Sequence, residues 1–159
     1  MKATKTKLNG NSSILTKEDM GFDIKVTWLA IAKMYSPLAT QYGLTVTMGF
    51  TLLNISTEKG TQATKIAPLL GMEPRSLTRM IKKMEEEGLI ERRPDLEDKR
   101  SVRIFLTDEG MKKKHEAKEV VESFNRAVRK DISNKDLKVF FEVLEKVHQI
   151  IQQHKVIES

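Results

Sequence analysis

The sequence predicts a mostly helical fold that contains one small β-hairpin. Apolar residues recur every three or four positions, which is helical spacing, along most of the 159-residue chain. One short stretch, Ser101 to Leu106, instead alternates as a strand does, and a charged, turn-prone loop from Pro94 to Arg100 precedes it. We therefore expect the order helix, helix, helix-turn-helix, two-stranded hairpin, helix, helix.

Two helices are predicted in the N-terminal part of the chain. An apolar stripe over residues 22–42 predicts the first helix, and Gly43 follows it in the usual position of a C-terminal stop. Pro37 lies inside this stripe, where it would kink the helix or split it in two. Residues 46–56 predict the second helix, which ends at a turn-like segment.

A helix-turn-helix is predicted over residues 61–89. Its first helix is short, at about residues 64–70, and contains Pro68, so it either starts later or bends there. Gly71 ends this helix. Pro74 then begins the second helix at its first position, where the missing N–H of proline has no helical partner to lose.

The hairpin and two further helices complete the chain. Residues 89–93 are short and strand-like, and the alternating stretch supplies the second strand. Thr107 is typical of a helix N-cap, and Ser133 followed by Asp136 three residues later resembles a capping box. Both helices, over residues 108–153, carry apolar stripes.

Composition restricts the possible functions. The sequence has 28 Lys and Arg against 22 Asp and Glu, and its net charge of +6 suits a polyanionic partner. It contains no cysteine, which excludes disulfides, thiolate metal sites and thiol redox sensing. No apolar run approaches the roughly 20 residues of a transmembrane helix, and no signal peptide is evident. Residues 1–17 predict a flexible polar tail, and a cytoplasmic location is expected.

The second helix of the helix-turn-helix combines an apolar face with a face of hydrogen-bond donors. Its apolar residues are Leu77, Met80, Ile81 and Met84. Its candidate DNA-contacting residues are Arg75, Ser76, Arg79, Lys82 and Lys83, with Thr78 near the boundary. Arginine can donate two hydrogen bonds to guanine, while Ser, Thr and Lys suit phosphates or bases. A helix pair used only for packing, with a solvated basic face, is the alternative.

The hairpin favours DNA binding, because a helix-turn-helix followed by a hairpin with a basic loop is a winged helix. An arginine in such a wing can enter the narrow, electronegative minor groove. The segment LGMEPRSLTRMIKKMEEEGLIERRPDLEDKRSVRIFLTDEG resembles the winged-helix core of the MarR family of bacterial transcriptional regulators. The matching features are Gly71, the run Ser76 to Arg79, the run Glu87 to Ile90, the run Asp98-Lys99-Arg100, and Leu106, Thr107 and Gly110.

The resemblance implies an architecture and a function. Residues 18–159 would form a single domain, with a winged helix-turn-helix at about residues 46–106 and dimerisation helices at about 22–42 and 108–153. The implied protein is a homodimeric, DNA-binding transcriptional regulator, with repression expected, on a pseudo-palindromic operator of double-stranded DNA. The alternative is a winged helix that binds another protein without reading DNA sequence.

The resemblance also assigns roles to residues in the wing. Arg100 would enter the minor groove, with Lys99 beside it, and Asp98 would hold Arg100 in position. For Asp98 the alternative is a loop cap, and for Arg100 it is a solvated surface arginine.

The resemblance further implies a small aromatic or phenolic effector, because many members of the family bind one in a cleft between the dimer helices and the winged-helix lobe, here about residues 46–106. The candidate effector-binding residues are Trp28, Met34, Tyr35, Met48, Met111 and His115, for which core packing is the alternative. No metal site is expected, because cysteine is absent and His148 and His154 lie on different helix faces. The sequence has no phosphate-binding glycine loop and no nucleophile motif in a suitable context, so no catalytic residue, cofactor or enzymatic activity is expected.

Overall fold

A computed structural model of the chain describes residues 19–95, 98 and 100–153, so the tail predicted at residues 1–17 lies outside the described residues. The helices are α1 Met20–Gln41, α2 Val46–Asn54, α3 Ala63–Leu69, α4 Pro74–Glu86, α5 Asp108–Asp131 and α6 Asn134–Gln153. The strands are β1 Thr61–Gln62, β2 Ile90–Pro94 and β3 Val102–Leu106. The mostly helical class and the order of the predicted elements are confirmed.

One hydrophobic core joins α2, α3, α4 and the sheet. Its most deeply buried aliphatic side chains are Leu52, Ile55, Ile66, Met84, Ile90 and Ile104. The predicted apolar face of α4 is confirmed, because Leu77, Ile81 and Met84 are buried and Met80 packs against the core. Each fully buried aliphatic side chain contributes about 1.5–3 kcal/mol relative to an exposed one. This core therefore fixes α4 against the sheet.

Two prolines, Pro37 and Pro68, lie inside helices. α1 runs without a break through Pro37, so of the two expected alternatives, a kink or a split, the split into two helices is excluded. α3 already begins at Ala63, which places Pro68 one residue before the end of the helix and excludes a later start. The helix then closes through hydrogen bonds from the Leu70 N–H, and Gly71 leaves it with a φ of 59°. Pro68 therefore lies where the helix is already ending.

The sheet has three strands rather than the two predicted. β1 pairs antiparallel with β3, with Thr61 opposite Ile104 and Gln62 opposite Arg103, and β2 lies on the other side of β3. Gly60 permits this approach, because a Cβ there would lie 2.6 Å from the carbonyl oxygen of Ile104. A strand of two residues has too little alternation to be predicted from sequence.

The two long C-terminal helices begin where the sequence predicts. The Thr107 hydroxyl accepts a hydrogen bond from the Gly110 N–H at 3.0 Å, which caps α5. The Ser133 hydroxyl accepts from the Asp136 N–H at 3.1 Å and donates to the Asp136 carboxylate at 2.7 Å, which caps α6.

α1 and α6 expose much of their apolar surface. On α1 the exposed residues include Met20, Phe22, Ile24, Val26, Trp28 and Leu29, and on α6 they include Val139, Phe140, Phe141, Val143, Ile150 and Ile151. An apolar patch of this extent marks an interaction surface. No helix in the part of the chain that the structure describes is long and apolar enough to cross a membrane.

Candidate nucleic-acid interface

The outer face of α4 carries exposed hydrogen-bond donors. The predicted DNA-contacting residues of this helix, Arg75, Ser76, Thr78, Arg79, Lys82 and Lys83, are all exposed. Within residues 19–95, 98 and 100–153, the side chains of Arg75 and Arg79 make no hydrogen bond or ion pair. Burial of the opposite face turns both guanidinium groups outward, where they are available to a ligand.

The other donors of α4 are held by weak local contacts. The Thr78 hydroxyl donates to the carbonyl oxygen of Pro74 at 2.9 Å. Lys82 and Lys83 form ion pairs with Glu86 and Glu87, at 3.7 and 3.6 Å. Exposed pairs four residues apart on a helix contribute only about 0.3–0.5 kcal/mol. A phosphate group could therefore replace either carboxylate at little cost.

Glu85 ties the C-terminal end of α4 to the sheet. Its Oε2 accepts hydrogen bonds from Nε and Nη2 of Arg92 on β2, at 2.8 and 2.5 Å. The hydrogen bond from Arg92 holds the pKa of the Glu85 carboxyl below its usual range. Glu85, at the acidic end of α4, is thus paired with an arginine of the neighbouring strand.

The loop between β2 and β3 presents an arginine. Oδ1 of Asp98 accepts from the backbone N–H of Arg100 at 3.0 Å, and the Asp98 carbonyl accepts from the Ser101 N–H at 2.8 Å. Asp98 therefore caps the loop through the Arg100 backbone. The Arg100 side chain is exposed and has no hydrogen bond or ion pair among the residues that the structure describes. Lys99 lies outside the described residues.

Sequence reasoning missed a charged cluster at the base of this loop. Asp95 is only 1% exposed, and its Oδ2 accepts hydrogen bonds from Nε of Arg103 at 2.9 Å and from Nε2 of Gln62 at 3.0 Å. Arg93 lies opposite Arg103 in the sheet, so Asp95, two residues after Arg93, is a diagonal neighbour of Arg103. Opposite charges at a diagonal cross-strand position were the signal that could have revealed the pair.

A second candidate site is a small apolar cavity between α1, α2 and α5. Tyr35, Gly49, Phe50 and Ala117 are among the residues that line it, and its volume is about 40 Å³. The rings of Tyr35 and Phe50 lie 6.0 Å apart, and Trp28 lies 5.7 Å from Phe50. Burial raises the pKa of the Tyr35 phenol above its ordinary value, so the hydroxyl remains protonated at neutral pH.

The structure brings only some of the predicted effector residues to this cavity. Tyr35 lines it, and Trp28 reaches it through Phe50. Met48 is buried in the lobe core. Met34, Met111 and His115 are exposed and do not line the cavity.

The histidines are dispersed. His115 and His148 are both exposed, and His154 lies outside the described residues. Among the residues that the structure describes, no group of three or more His, Asp or Glu side chains is placed to hold a metal ion.

α4 carries exposed hydrogen-bond donors, and the wing carries an exposed arginine. Together they define a winged helix-turn-helix protein of the DNA-binding class. The MarR family model matches residues 44–102. Over 123 residues the chain is 31% identical to an organic hydroperoxide resistance transcriptional regulator of Bacillus subtilis (strain 168). The aligned region covers 75% of this chain and 82% of that protein. The chain belongs to the MarR family.

Solved structures have the same fold. The S. aureus MepR–DNA complex superposes with a TM-score of 0.76 at 18% identity, covering 85% of this chain and 99% of that one. CouR from Rhodococcus jostii RHA1 bound to p-coumaroyl-CoA superposes with a TM-score of 0.73 at 21% identity, covering 85% and 95%. The chain is a DNA-binding transcriptional regulator, and a winged helix that only binds protein is not supported.

Proposed function

We propose that the chain is a homodimeric repressor that binds a pseudo-palindromic operator. The observation that carries this proposal is the outer face of α4, where Arg75 and Arg79 are exposed and unpaired within the described residues. Both arginines would contact base edges or phosphates in the major groove, with Ser76, Thr78, Lys82 and Lys83 supporting them. Arg100 would enter the adjoining minor groove.

The exposed apolar faces of α1 and α6 support a homodimer. Phe140 and Phe141 are 54% and 56% exposed, with ring centroids 5.5 Å apart. Self-association through a two-fold axis would cover such faces on both copies at once. It would also present two α4 helices to half-sites separated by about one turn of DNA, roughly 34 Å.

Repression is the outcome expected of a dimer that covers a promoter when it binds DNA. The lobe would be occupied by DNA, and the apolar faces of α1 and α6 would be occupied by the second copy. Occupation of an operator that overlaps a promoter then excludes the polymerase. We propose the cytoplasm as the place of action, where this DNA would be accessible.

The cavity between α1, α2 and α5 supports control by an aromatic effector. A cavity of about 40 Å³ is smaller than the roughly 150 Å³ that admits benzene, so an aromatic ring would have to separate the helices around it. CouR, a structural neighbour, is bound to p-coumaroyl-CoA. The sequence contains no cysteine, which excludes a cysteine-based response to hydroperoxides.

Sequence-specific binding tests the proposal. The purified chain should enrich a defined duplex from a random 30-bp library, bind it as two chains per duplex, and lose affinity linearly in log salt. Arg79→Ala should cost about 1–3 kcal/mol and relax selectivity at one base pair of each half-site. Lys82→Ala is the matched control, and it should weaken all duplexes equally and reduce the salt slope by about one.

Several outcomes would contradict the proposal. Failure to enrich any duplex at low salt would exclude sequence-specific reading. One chain per duplex would exclude the homodimer on DNA, and identical behaviour of the two variants would mean that Arg79 contacts only phosphate.

A further inference from the structure

Asp95 occupies a buried position at the base of the wing, where it accepts hydrogen bonds from three parts of the chain. Its Oδ2 accepts hydrogen bonds from Gln62 Nε2 at 3.0 Å and from Arg103 Nε at 2.9 Å, and it forms an ion pair with Arg103 Nη2 at 2.8 Å. Its Oδ1 accepts from the backbone N–H of Asp98 at 3.2 Å. We call Gln62, Asp95 and Arg103 the wing-base cluster.

The wing-base cluster is anchored to the sheet. Gln62 and Arg103 are register partners on β1 and β3. Arg103 Nη1 also donates to the carbonyl oxygen of Lys59 at 3.1 Å, before β1. Asp95 is therefore bound on one side to the two strands that pack on α3.

A series of hydrogen bonds connects this anchor to the exposed arginine. Oδ2 of Asp95 is fixed by β1 and β3, and Oδ1 holds the N–H of Asp98. The Asp98 carboxylate then holds the N–H of Arg100. The only residue of this series that is almost fully buried is Asp95.

We propose that Asp95 positions Arg100 for the minor groove, so that the wing-base cluster determines selectivity for the DNA that flanks the operator core. The proposal rests on the proposed minor-groove role of Arg100. A narrow, A·T-rich minor groove has an enhanced negative potential that attracts an arginine inserted into it. Asp95 fixes the backbone from which that side chain extends, and Asp98 transmits this constraint.

The neighbouring Glu91 provides a matched control. Glu91 and Arg93 lie on β2, shortly before Asp95, and Glu91 forms an ion pair with Arg93 outside the wing-base cluster. Asp95→Asn and Glu91→Gln each remove one negative charge. Both variants therefore change the net charge by the same amount, and a loss of flank selectivity in Asp95→Asn alone reports on the position of Arg100.

The experiment compares two duplexes that share one core, the sequence that the wild-type chain enriches from the random library. One duplex has A·T-rich flanks and the other has G·C-rich flanks. Flank selectivity is the ratio of the two Kd values. We expect Arg100→Ala to abolish flank selectivity and Asp95→Asn to reduce it by about fivefold or more. Glu91→Gln should retain it. Hydroxyl-radical footprinting should show that Asp95→Asn loses minor-groove protection at the flanks while keeping protection of the core.

A double variant separates positioning from general damage. If Asp95 acts through Arg100, Asp95→Asn should have no further effect on flank selectivity in the Arg100→Ala background. Should Asp95→Asn not fold, Arg103→Lys tests the same role, because it keeps the positive charge and removes the Nε hydrogen bond to Asp95.

Two results would overturn the proposal, and they are distinguishable. Retained flank selectivity in folded Asp95→Asn or Arg103→Lys, while Arg100→Ala abolishes it, would refute the positioning role alone. Unchanged flank selectivity in Arg100→Ala would refute the minor-groove role of Arg100, and the positioning role with it.

Discussion

Gly110 is a single residue at which packing permits no side chain. It lies in the first turn of α5, and a Cβ there would lie 1.8 Å from the carbonyl oxygen and 2.9 Å from the carbonyl carbon of Leu89. Its N–H donates to the Thr107 hydroxyl, which in turn donates to the Gly88 carbonyl at 2.6 Å. The Leu-Thr-x-x-Gly pattern therefore has a physical basis, which is the close contact between the start of α5 and the chain that enters β2.

Gly110→Ala should destabilise the protein by about 3 kcal/mol, because the Cβ would meet backbone atoms that cannot rotate away. Gly49→Ala is the control. Gly49 lies within α2, and its added Cβ would lie 3.7 Å from the Ala117 Cβ on α5, which is an ordinary van der Waals contact. That variant should be neutral or more stable by about 0.5–1 kcal/mol. Urea unfolding at a fixed protein concentration measures both, and equal stability of the two variants would contradict the packing argument.

At the level of elements, Lys114 joins α5 to the end of α2. Its ammonium group donates to the carbonyl oxygens of Leu53 and Ile55, at 3.0 and 2.5 Å. A cation at this position satisfies carbonyls that α2 leaves without helical partners and complements the helix dipole. Desolvation, and then the charge of Lys118, lower the pKa of Lys114.

Lys114→Met should cost about 1–2 kcal/mol at neutral pH, because two carbonyl groups lose a charged donor. The folded pKa lies below the unfolded value of 10.5, so the unfolded chain binds more protons between the two values and stability rises with pH there. The stability advantage of the wild type over Lys114→Met should therefore widen as the pH approaches 10.5. Unfolding free energies measured between pH 7 and 10 test this.

The control for that series is Lys112→Met. Lys112 is exposed and lies 3.5 Å from Glu109, so its removal should change stability by less than about 1 kcal/mol. An advantage of the wild type over Lys114→Met that is constant or shrinks with pH would mean that the ammonium group is not desolvated in the folded protein.

In the molecule as a whole, α5 connects β3 of the wing to α6, and residues of α5 line the cavity. Gly49, Phe50 and Leu53 of α2 face Ala117 and other residues of α5 across this space. An aromatic ring that enters must separate α2 from α5, and α2 belongs to the core that carries α4. Binding in the cavity would thus move one α4 relative to the other in a dimer.

We expect p-coumarate, used as a probe, to weaken operator binding by about fivefold or more, and operator DNA to weaken p-coumarate binding by the same factor. Trp28 is the only tryptophan in the sequence and lies against Phe50, so its fluorescence reports occupancy of the cavity. Tyr35→Phe should weaken p-coumarate binding while leaving operator affinity without the probe unchanged. Binding of p-coumarate without any effect on the operator Kd would exclude the coupling.

The sequence by itself determined the mostly helical order of elements, the apolar face of α4, and the N-caps at Thr107 and Ser133. These depend on spacing and on side chains within a few positions, which a sequence displays directly. Only the tertiary structure decided the pairing of β1, the wing-base cluster around Asp95, and the contact of Lys114 with α2. Their partners lie far apart in the chain, 61 residues for Lys114 and Leu53, and they meet only because core packing brings the elements together.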